Sequence, residues 1–387
     1  MERIHSLDLI RGVAILGILL MNVISMAAPT IAYYVPEWFV GAGLSEHVVY
    51  VLQSLFVESR FMGMFSLLFG VGLAIQTDRM RERGLNPRPW IQRRLGWLLL
   101  FGLIHGFLIW AGDILTPYAI AGFFAWRGAR WSVRRLVVVG TVFVVIGQIP
   151  LLSAFAGSLL SGENIMEIPP LPFSPADVVA LRGEWTTISS RFFANAAEYV
   201  ELLVAIPLSL FWHTGGLMLF GMALYRRGFF SRPDAWKRAL PGAIGGLVGA
   251  ALVVRLRYHV GLDTSAGYAT MGMMMVPGLF MAIGYASLLV PIAAGSSRVV
   301  KALRNTGKMA FTLYISQSVV TVALFTFVVP ELWGGLGRVA LWAGVAAFSV
   351  VQVLCAHWWQ TTRGQGPLEK LWRFLAYRKM QAVTEQL

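Results

Sequence analysis

The sequence predicts an all-α fold: a polytopic membrane helix bundle of about ten transmembrane helices with both termini cytoplasmic. Three observations predict it. Of 387 residues, 57% are hydrophobic and 13% charged, against about 25% charged in a soluble domain. That is too little charge to cover a water-soluble chain of this length. Apolar runs able to cross about 30 Å of hydrocarbon recur along the chain. Finally, the basic residues, which bring the net charge to +13, are bunched in alternate connections between those runs.

In order, the runs fall at 9–27, 60–77, 95–111, 114–126, 132–156, 199–225, 239–258, 268–294, 309–330 and 338–359. The first has Asp8 and Arg11 at its mouth and no small-residue cleavage site after it, so it reads as a span and not as a signal peptide. The run at 114–126 is short, and is kept because the basic clusters then alternate. Arg3 and Arg11 precede the first run, Arg79 to Arg94 follow the second, and Arg127 to Arg135 follow the fourth. Arg226 to Arg238 follow the sixth, Arg298 to Lys308 the eighth and Arg363 to Lys379 the tenth. Six of the 32 Lys and Arg residues fall on or near the opposite side: Arg60, Arg182, Arg191, Arg255, Arg257 and Arg338. This is the positive-inside pattern. A nucleic-acid footprint would gather its charges on one groove, so the bilayer is the partner predicted and nucleic acid is not.

Residues 1–156 form an amino-terminal membrane half, 157–198 an extracytoplasmic connection and 199–387 a carboxyl-terminal membrane half. The connection holds Glu163 to Glu167 and a Pro-rich stretch from Pro169 to Pro175; its length suits a lid over a site or a surface hairpin. The single cysteine, Cys355, lies inside the last run, so no internal disulfide can form. The six histidines are scattered, and no metal-ligand spacing, phosphate-binding Gly-rich loop or Ser nucleophile elbow is present. No metal and no permanently bound cofactor are expected.

Ionisable groups at membrane depth are costly and therefore point to function. At about 100° per residue, Asp8, Arg11 and Asn22 share one face of the first run, a polar stripe entering from the cytoplasm. The alternative is an Asp8–Arg11 pair that only anchors the helix start. Glu58 and Arg60 open the second run near the outer surface, as an interfacial salt bridge or the outer wall of a site. In the third run, His105 sits about 18 Å from the inner end at 1.5 Å per residue. Arg94 lies three turns below it and Asp113 two turns above. Gly102 and Gly106 flank His105 and would let a helix or substrate approach closely. Such a histidine is either a helix–helix hydrogen-bonding group or a base suited to taking a proton from a hydroxyl or amine. His213, in the sixth run, is a second candidate.

The same residues carry a resemblance. The segment from Arg3 through Leu7, Asp8, Arg11 and Gly12 to Gly17 resembles the amino terminus of the YeiB-like bacterial membrane proteins. The match continues through Phe65 to Gly72, then Gly102, His105, Trp110, Gly112 and Asp113. Later come Gly221 to Phe230, then Gly307 to Ser318 including Tyr314 and Gln317, and finally Gly366, Pro367, Leu368, Glu369, Trp372 and Arg373. The carboxyl-terminal half resembles domain of unknown function 418. The Leu7-Asp8 to Arg11-Gly12 opening is also similar to that of heparan-α-glucosaminide N-acetyltransferase and the wider transmembrane acyltransferases. After Asn22 the chain reads on to Pro29 with no His, unlike the heparan enzyme. Any catalytic His therefore lies elsewhere, and His105 is the motif-borne candidate.

The resemblance implies a multi-pass protein of the bacterial inner membrane that moves an acyl group from cytoplasmic acyl-CoA to a sugar, lipid or small-molecule acceptor. Acyl-CoA would be a donor substrate, held by Arg11 and Arg94. His105, oriented by Asp113 or another carboxylate, would deprotonate the acceptor or be acylated in passing. Asn22 or Gln317 would bond the developing oxyanion. Asp8, Glu58, Arg60 and His213 complete the residues expected to meet substrate. Two other readings fit the same pattern: a transporter or lipid flippase, and a non-catalytic membrane partner. An oligomer is compatible with each.

Overall fold

The computed structural model describes residues 4–38, 43–161, 188–262 and 264–384. The predicted lid segment from Glu163 to Pro175, and Arg182, lie outside the described residues. Among those described there are helices and connections and no strand. Their fifteen α-helices are α1 (His5–Ala27), α2 (Leu44–Phe56), α3 (Arg60–Glu82), α4 (Pro87–Leu108), α5 (Leu115–Ala125), α6 (Val133–Ser161), α7 (Ile188–Ala205), α8 (Phe211–Arg226), α9 (Ala235–Val260), α10 (Ser265–Met273), α11 (Met275–Ile292), α12 (Arg298–Lys308), α13 (Ala310–Ala323), α14 (Arg338–Thr362) and α15 (Pro367–Thr384).

Among the described residues, eight helical stretches are long and apolar enough to cross a membrane: His5–Ala27, Leu44–Glu82, Val133–Leu160, Ser189–Arg226, Ala235–Val260, Ala269–Ile292, Ala310–Val328 and Arg338–Thr362. Each overlays one of the ten predicted runs. The other two runs, 95–111 and 114–126, correspond to α4 and α5. Arg88, Arg93 and Arg94 make the start of α4 polar. The 11 residues of α5 reach only about 17 Å. The protein is thus a multi-pass helical membrane protein, and the two helices that fail the length-and-apolarity criterion are those that frame His105 and Asp113.

Burial follows the logic of a lipid solvent. Large apolar side chains are exposed in helical rows: Val138, Val142, Val145, Ile149 and Leu152 on α6, and Leu240, Ile244, Val248 and Leu252 on α9. Such rows are stable only against hydrocarbon. By contrast, 61% of the apolar window of α1 is buried, against 22% for α9 and α14, which makes α1 the central helix. Helix α2 turns its polar face inward. Glu46, Tyr50, Gln53 and Ser54 are buried, whereas Leu44, Val48, Leu52 and Phe56 are exposed.

Local chemistry sets the ends and breaks. Asn86 caps α4, its side chain accepting from the Arg88 amide at 3.1 Å, with Pro87 at the first helical position. Ser297 caps α12 through the Val300 amide. Pro207, which has no N–H to give, lies in a π-helical turn at Ile206–Leu210 that joins α7 to α8. Its own carbonyl is satisfied by the Trp212 indole N–H at 2.9 Å. A second π-turn, Leu324–Val328, ends α13.

Candidate functional site

The site is built where α4 ends and α5 begins. His105 is in the last turn of α4, and its carbonyl accepts from both Ile109 and Trp110, closing the helix. The chain then turns so that Asp113 precedes α5. Its Oδ1 accepts from the Leu115 amide at 3.1 Å and its Oδ2 from the Thr116 amide at 2.7 Å. A carboxylate at a helix N-terminus is favoured by the free amides and the dipole there. The same Oδ1 lies 3.0 Å from His105 Nδ1, with the side chains 1% and 0% exposed. An Nδ1–H donated to Asp113 leaves the Nε2 lone pair available, and Nε2 is buried with no hydrogen-bond partner among the described residues. A buried unsatisfied polar atom costs about 1–3 kcal/mol, so this nitrogen is positioned to gain from a ligand.

The two flanking glycines admit the groups that hold this pair. A Cβ on Gly102 would collide with Thr116 and Asp113, and one on Gly106 with the Tyr199 ring. Tyr199 and Thr116 share a 2.6 Å hydroxyl–hydroxyl bond. Asn195 commits its whole amide to the turn: Nδ2 donates to Gly106 O and Phe107 O at 2.7 and 3.0 Å, and Oδ1 accepts from the Ala111 amide at 2.7 Å. Tyr314 of α13 completes the wall, accepting from the Ile114 amide at 3.1 Å, with its ring centroid 5.1 Å from that of His105. Trp110 packs edge-on to the imidazole at 6.3 Å.

Two cavities of about 210 Å³ each lie on either side of this wall. One is lined by Arg11, Gln76, Arg94, Lys308, Tyr314, Glu369 and Trp372 among apolar groups. Three cations against one carboxylate make it electropositive. The other is lined by Ser25, Trp110, Arg191, Asn195, Glu198, Thr326 and Trp333 among apolar groups. Along α1, Arg11 lines one cavity and Ser25 the other, and along α4, Arg94 lines one and Leu108 the other. At 1.5 Å per residue, these pairs are separated by about 20 Å along the helix axes. His105 lines neither cavity: Tyr314 stands between it and the basic one, Trp110 between it and the other.

The structure brings some of the predicted residues together and leaves others apart. His105 and Asp113 are in contact, and Arg11 and Arg94 line the same cavity. Asp8 is buried at the foot of α1, 3.8 Å from Arg11. Asn22 meets Tyr33 at 3.5 Å and lines neither cavity. Gln317 donates to Ile15 O and Gln352 Oε1 at 3.1 and 3.0 Å, tying α13 to α1 and α14. His213 is buried in α8, beside Gly147 of α6.

Glu58 and Arg60 are expected as an interfacial salt bridge or as the outer wall of a site, and among the described residues no ion pair joins their side chains. Ser59, between them, has φ +63° and breaks the helix, and residues two apart do not face one another on a helix. Glu58 instead receives a bidentate pair from Arg257, at 2.8 and 2.7 Å. Arg257 also donates to Ser54 and Thr270. Arg60 is fully buried, donating to the Glu58 carbonyl and lying 3.4 Å from Met281 Sδ. Arg338, also fully buried, lies 3.9 Å from Glu46 and over the Tyr50 ring. Three of the six basic residues set apart by the positive-inside pattern thus enter one buried ion-pair cluster away from His105.

Tyr199, Asn195, Glu198 and Arg191 join the site without having been predicted to. The apolar run of the sixth span begins only at 199, so hydropathy leaves out the polar turns before it. Their spacing of i, i+4, i+7 and i+8 from Arg191 marks one helical face, and that pattern is the signal the sequence offers. Lys308 sits in a basic cluster whose evident role is to set topology, which masks its place in a cavity wall.

The chain belongs to the YeiB-like family. It is 31% identical to the Uncharacterized protein YeiB of Escherichia coli strain K12 over 98% of this chain and 97% of that one. It is 26% identical to the Uncharacterized protein YxaH of Bacillus subtilis strain 168, over 100% and 97% of the two chains. A 39.9 kDa protein in the amylase 3′ region of Bacillus acidopullulyticus is also 26% identical, over 98% and 95%. Residues 224–379 match the family described as Protein of unknown function (DUF418). No solved structure matches the chain.

Proposed function

We propose that the protein is a transmembrane acyltransferase in which His105 is the general base for acyl transfer between the two cavities. The observation that carries this reading is the His105–Asp113 pair: buried, oriented through Nδ1, unpartnered at Nε2 and set in the wall between an electropositive cavity and a near-neutral one. The basic cavity faces the cytoplasm under the positive-inside rule. Arg11, Arg94 and Lys308 hold phosphates of acyl-CoA there as charge-assisted donors. The Tyr314 ring moves aside as the thioester reaches the imidazole. An acceptor hydroxyl or amine in the opposite cavity gives its proton to Nε2 and attacks the thioester carbonyl carbon. The C–S bond breaks, and the CoA thiolate leaves and takes up that proton. Asp113 keeps the imidazole in the competent tautomer and stabilises the imidazolium.

The test is acyl transfer by purified protein from radiolabelled acetyl-CoA to a total extract of bacterial envelope lipids and saccharides. Wild type should give a labelled product and free CoA thiol. His105→Ala should lower the rate by about 100-fold or more, the range ascribed to a general base. Full activity in His105→Ala overturns the assignment.

A second reading, a transporter, has one observation in its favour. The helix break at Ser59 contacts Gly278 of α11, just after the break between α10 and α11, and interrupted helices are a feature of transport sites. Solute uptake into proteoliposomes that survives His105→Ala would select it.

A further inference from the structure

The cavity opposite the basic one carries a signature of its ligand. Its polar floor is made by Arg191, Glu198 and Asn195 of α7 together with Trp110 and Trp333. Asn195 is fully engaged by the α4–α5 turn. Arg191 donates to the Phe325 carbonyl and to Thr326 Oγ1 at 3.3 and 2.5 Å, closing the π-turn. Among the described residues the Glu198 carboxylate has a single 3.3 Å bond, from Thr30, where a carboxylate can accept about four. One guanidinium and one carboxylate cancel, so the floor suits a headgroup without net charge that can donate several hydroxyls. Both indoles line the cavity, and aromatic rings suit the C–H side of a sugar ring.

The rim has the opposite character. Leu108, Phe192 and Phe327 line the same cavity and are 62%, 42% and 63% exposed. In a multi-pass protein such exposed apolar side chains meet lipid, so this mouth opens sideways into the bilayer. A water-soluble ligand would gain nothing from that rim, whereas an alkyl chain lying across it would.

We infer that the cavity binds the neutral, hydroxylated headgroup of a membrane glycolipid, whose acyl chains leave between Leu108, Phe192 and Phe327. This names the acceptor in the transfer proposed above; the binding itself stands independently of that reading, and only the transfer step rests on it. Glu198 accepts the sugar hydroxyls, and the chains supply the affinity through buried CH₂ groups.

The test uses the full-length protein in phosphatidylcholine nanodiscs with a glucosyl diacylglycerol that carries a diazirine in one acyl chain. After photolysis, adducts should map to peptides containing Leu108, Phe192 or Phe327. Excess unlabelled glucosyl diacylglycerol should compete them away, and methyl glucoside should not. Glu198→Gln should lower labelling about tenfold, while Leu354→Ala, on the lipid-facing side of α14, should leave it unchanged. The labelling needs no acyl donor and reads binding alone, so a failure of the transfer chemistry would not mimic a failure here. Labelling spread evenly over the lipid-facing helices, insensitivity to Glu198→Gln, equal competition by methyl glucoside, or equal competition by phosphatidylethanolamine would each overturn the inference.

Discussion

At the scale of the residue, two buried charged groups have different tasks. Asp113 serves both the α5 N-terminus and His105. Asp113→Asn keeps one carbonyl oxygen for the amides and lacks the charge that steadies an imidazolium. It should therefore cost activity far more than stability: a rate loss of about 100-fold or more with a shift in melting temperature of only a few degrees, read by parallel turnover and thermal-melt assays. Arg257 is different. Its guanidinium neutralises Glu58 inside the bundle, so Arg257→Ala leaves a buried carboxylate unpaired and should destabilise by about 3–5 kcal/mol. The double variant Glu58→Gln with Arg257→Ala should recover part of that loss, measured by unfolding in detergent. His105 and Asp113 can be picked out from the sequence because their cost at membrane depth is visible in one dimension. Asn195 and Tyr199 cannot, because their roles depend on α7 packing against α4, and nothing in the local sequence states that partner. Gln317 illustrates the converse: a polar residue at depth whose amide joins helices.

At the scale of the element, the apolar runs locate the eight crossing stretches together with α4 and α5 and pass over α2, α12 and α15. Helix α2 escapes because its apolar face looks outward to lipid while its polar face is buried, the inverse of the pattern that marks a soluble amphipathic helix. The π-turns at Ile206–Leu210 and Leu324–Val328 leave no mark on hydropathy. The carboxyl-terminal helix α15 packs on the basic cavity. Trp372 donates its indole N–H to Arg94 O at 2.9 Å, and the Arg94 guanidinium lies 3.9 Å from the ring centre. Glu369 accepts from the Phe311 and Thr312 amides at 2.8 and 3.1 Å, capping α13 from a separate helix. Glu369→Ala removes that cap, worth about 0.5–2 kcal/mol. Hydrogen exchange should then quicken in the first turn of α13 and along α15, with little change in α9 at the periphery. Unchanged protection in α15 would show that the aromatic contacts alone hold it.

At the scale of the whole molecule, composition and the spacing of basic residues are enough to read a multi-pass helical membrane protein, and eight helical stretches among the described residues meet the requirement for crossing. Orientation is open to direct test in a Cys355→Ser background. Arg130→Cys, between α5 and α6, should react with a membrane-impermeant maleimide only after cells are opened, and Glu331→Cys, between α13 and α14, in intact cells. The reverse pattern would place the basic cavity outside and remove acyl-CoA as its ligand. The site is less legible than the fold because the two cavities are assembled from helices distant in sequence: α1, α3, α4, α5, α12, α13 and α15 on one side, α1, α4, α7 and α13 on the other. The central claim is that His105 is the base for acyl transfer from a donor in the basic cavity to an acceptor in the opposite one. The most direct measurement uses proteoliposomes with radiolabelled acetyl-CoA supplied only at the face that carries Arg11 and Arg94, and glucosyl diacylglycerol as the acceptor. Wild type should yield labelled glycolipid, with none from His105→Ala and none when the donor is confined to the other face. Label transfer that is undiminished in His105→Ala, or equal from both faces, would contradict the claim.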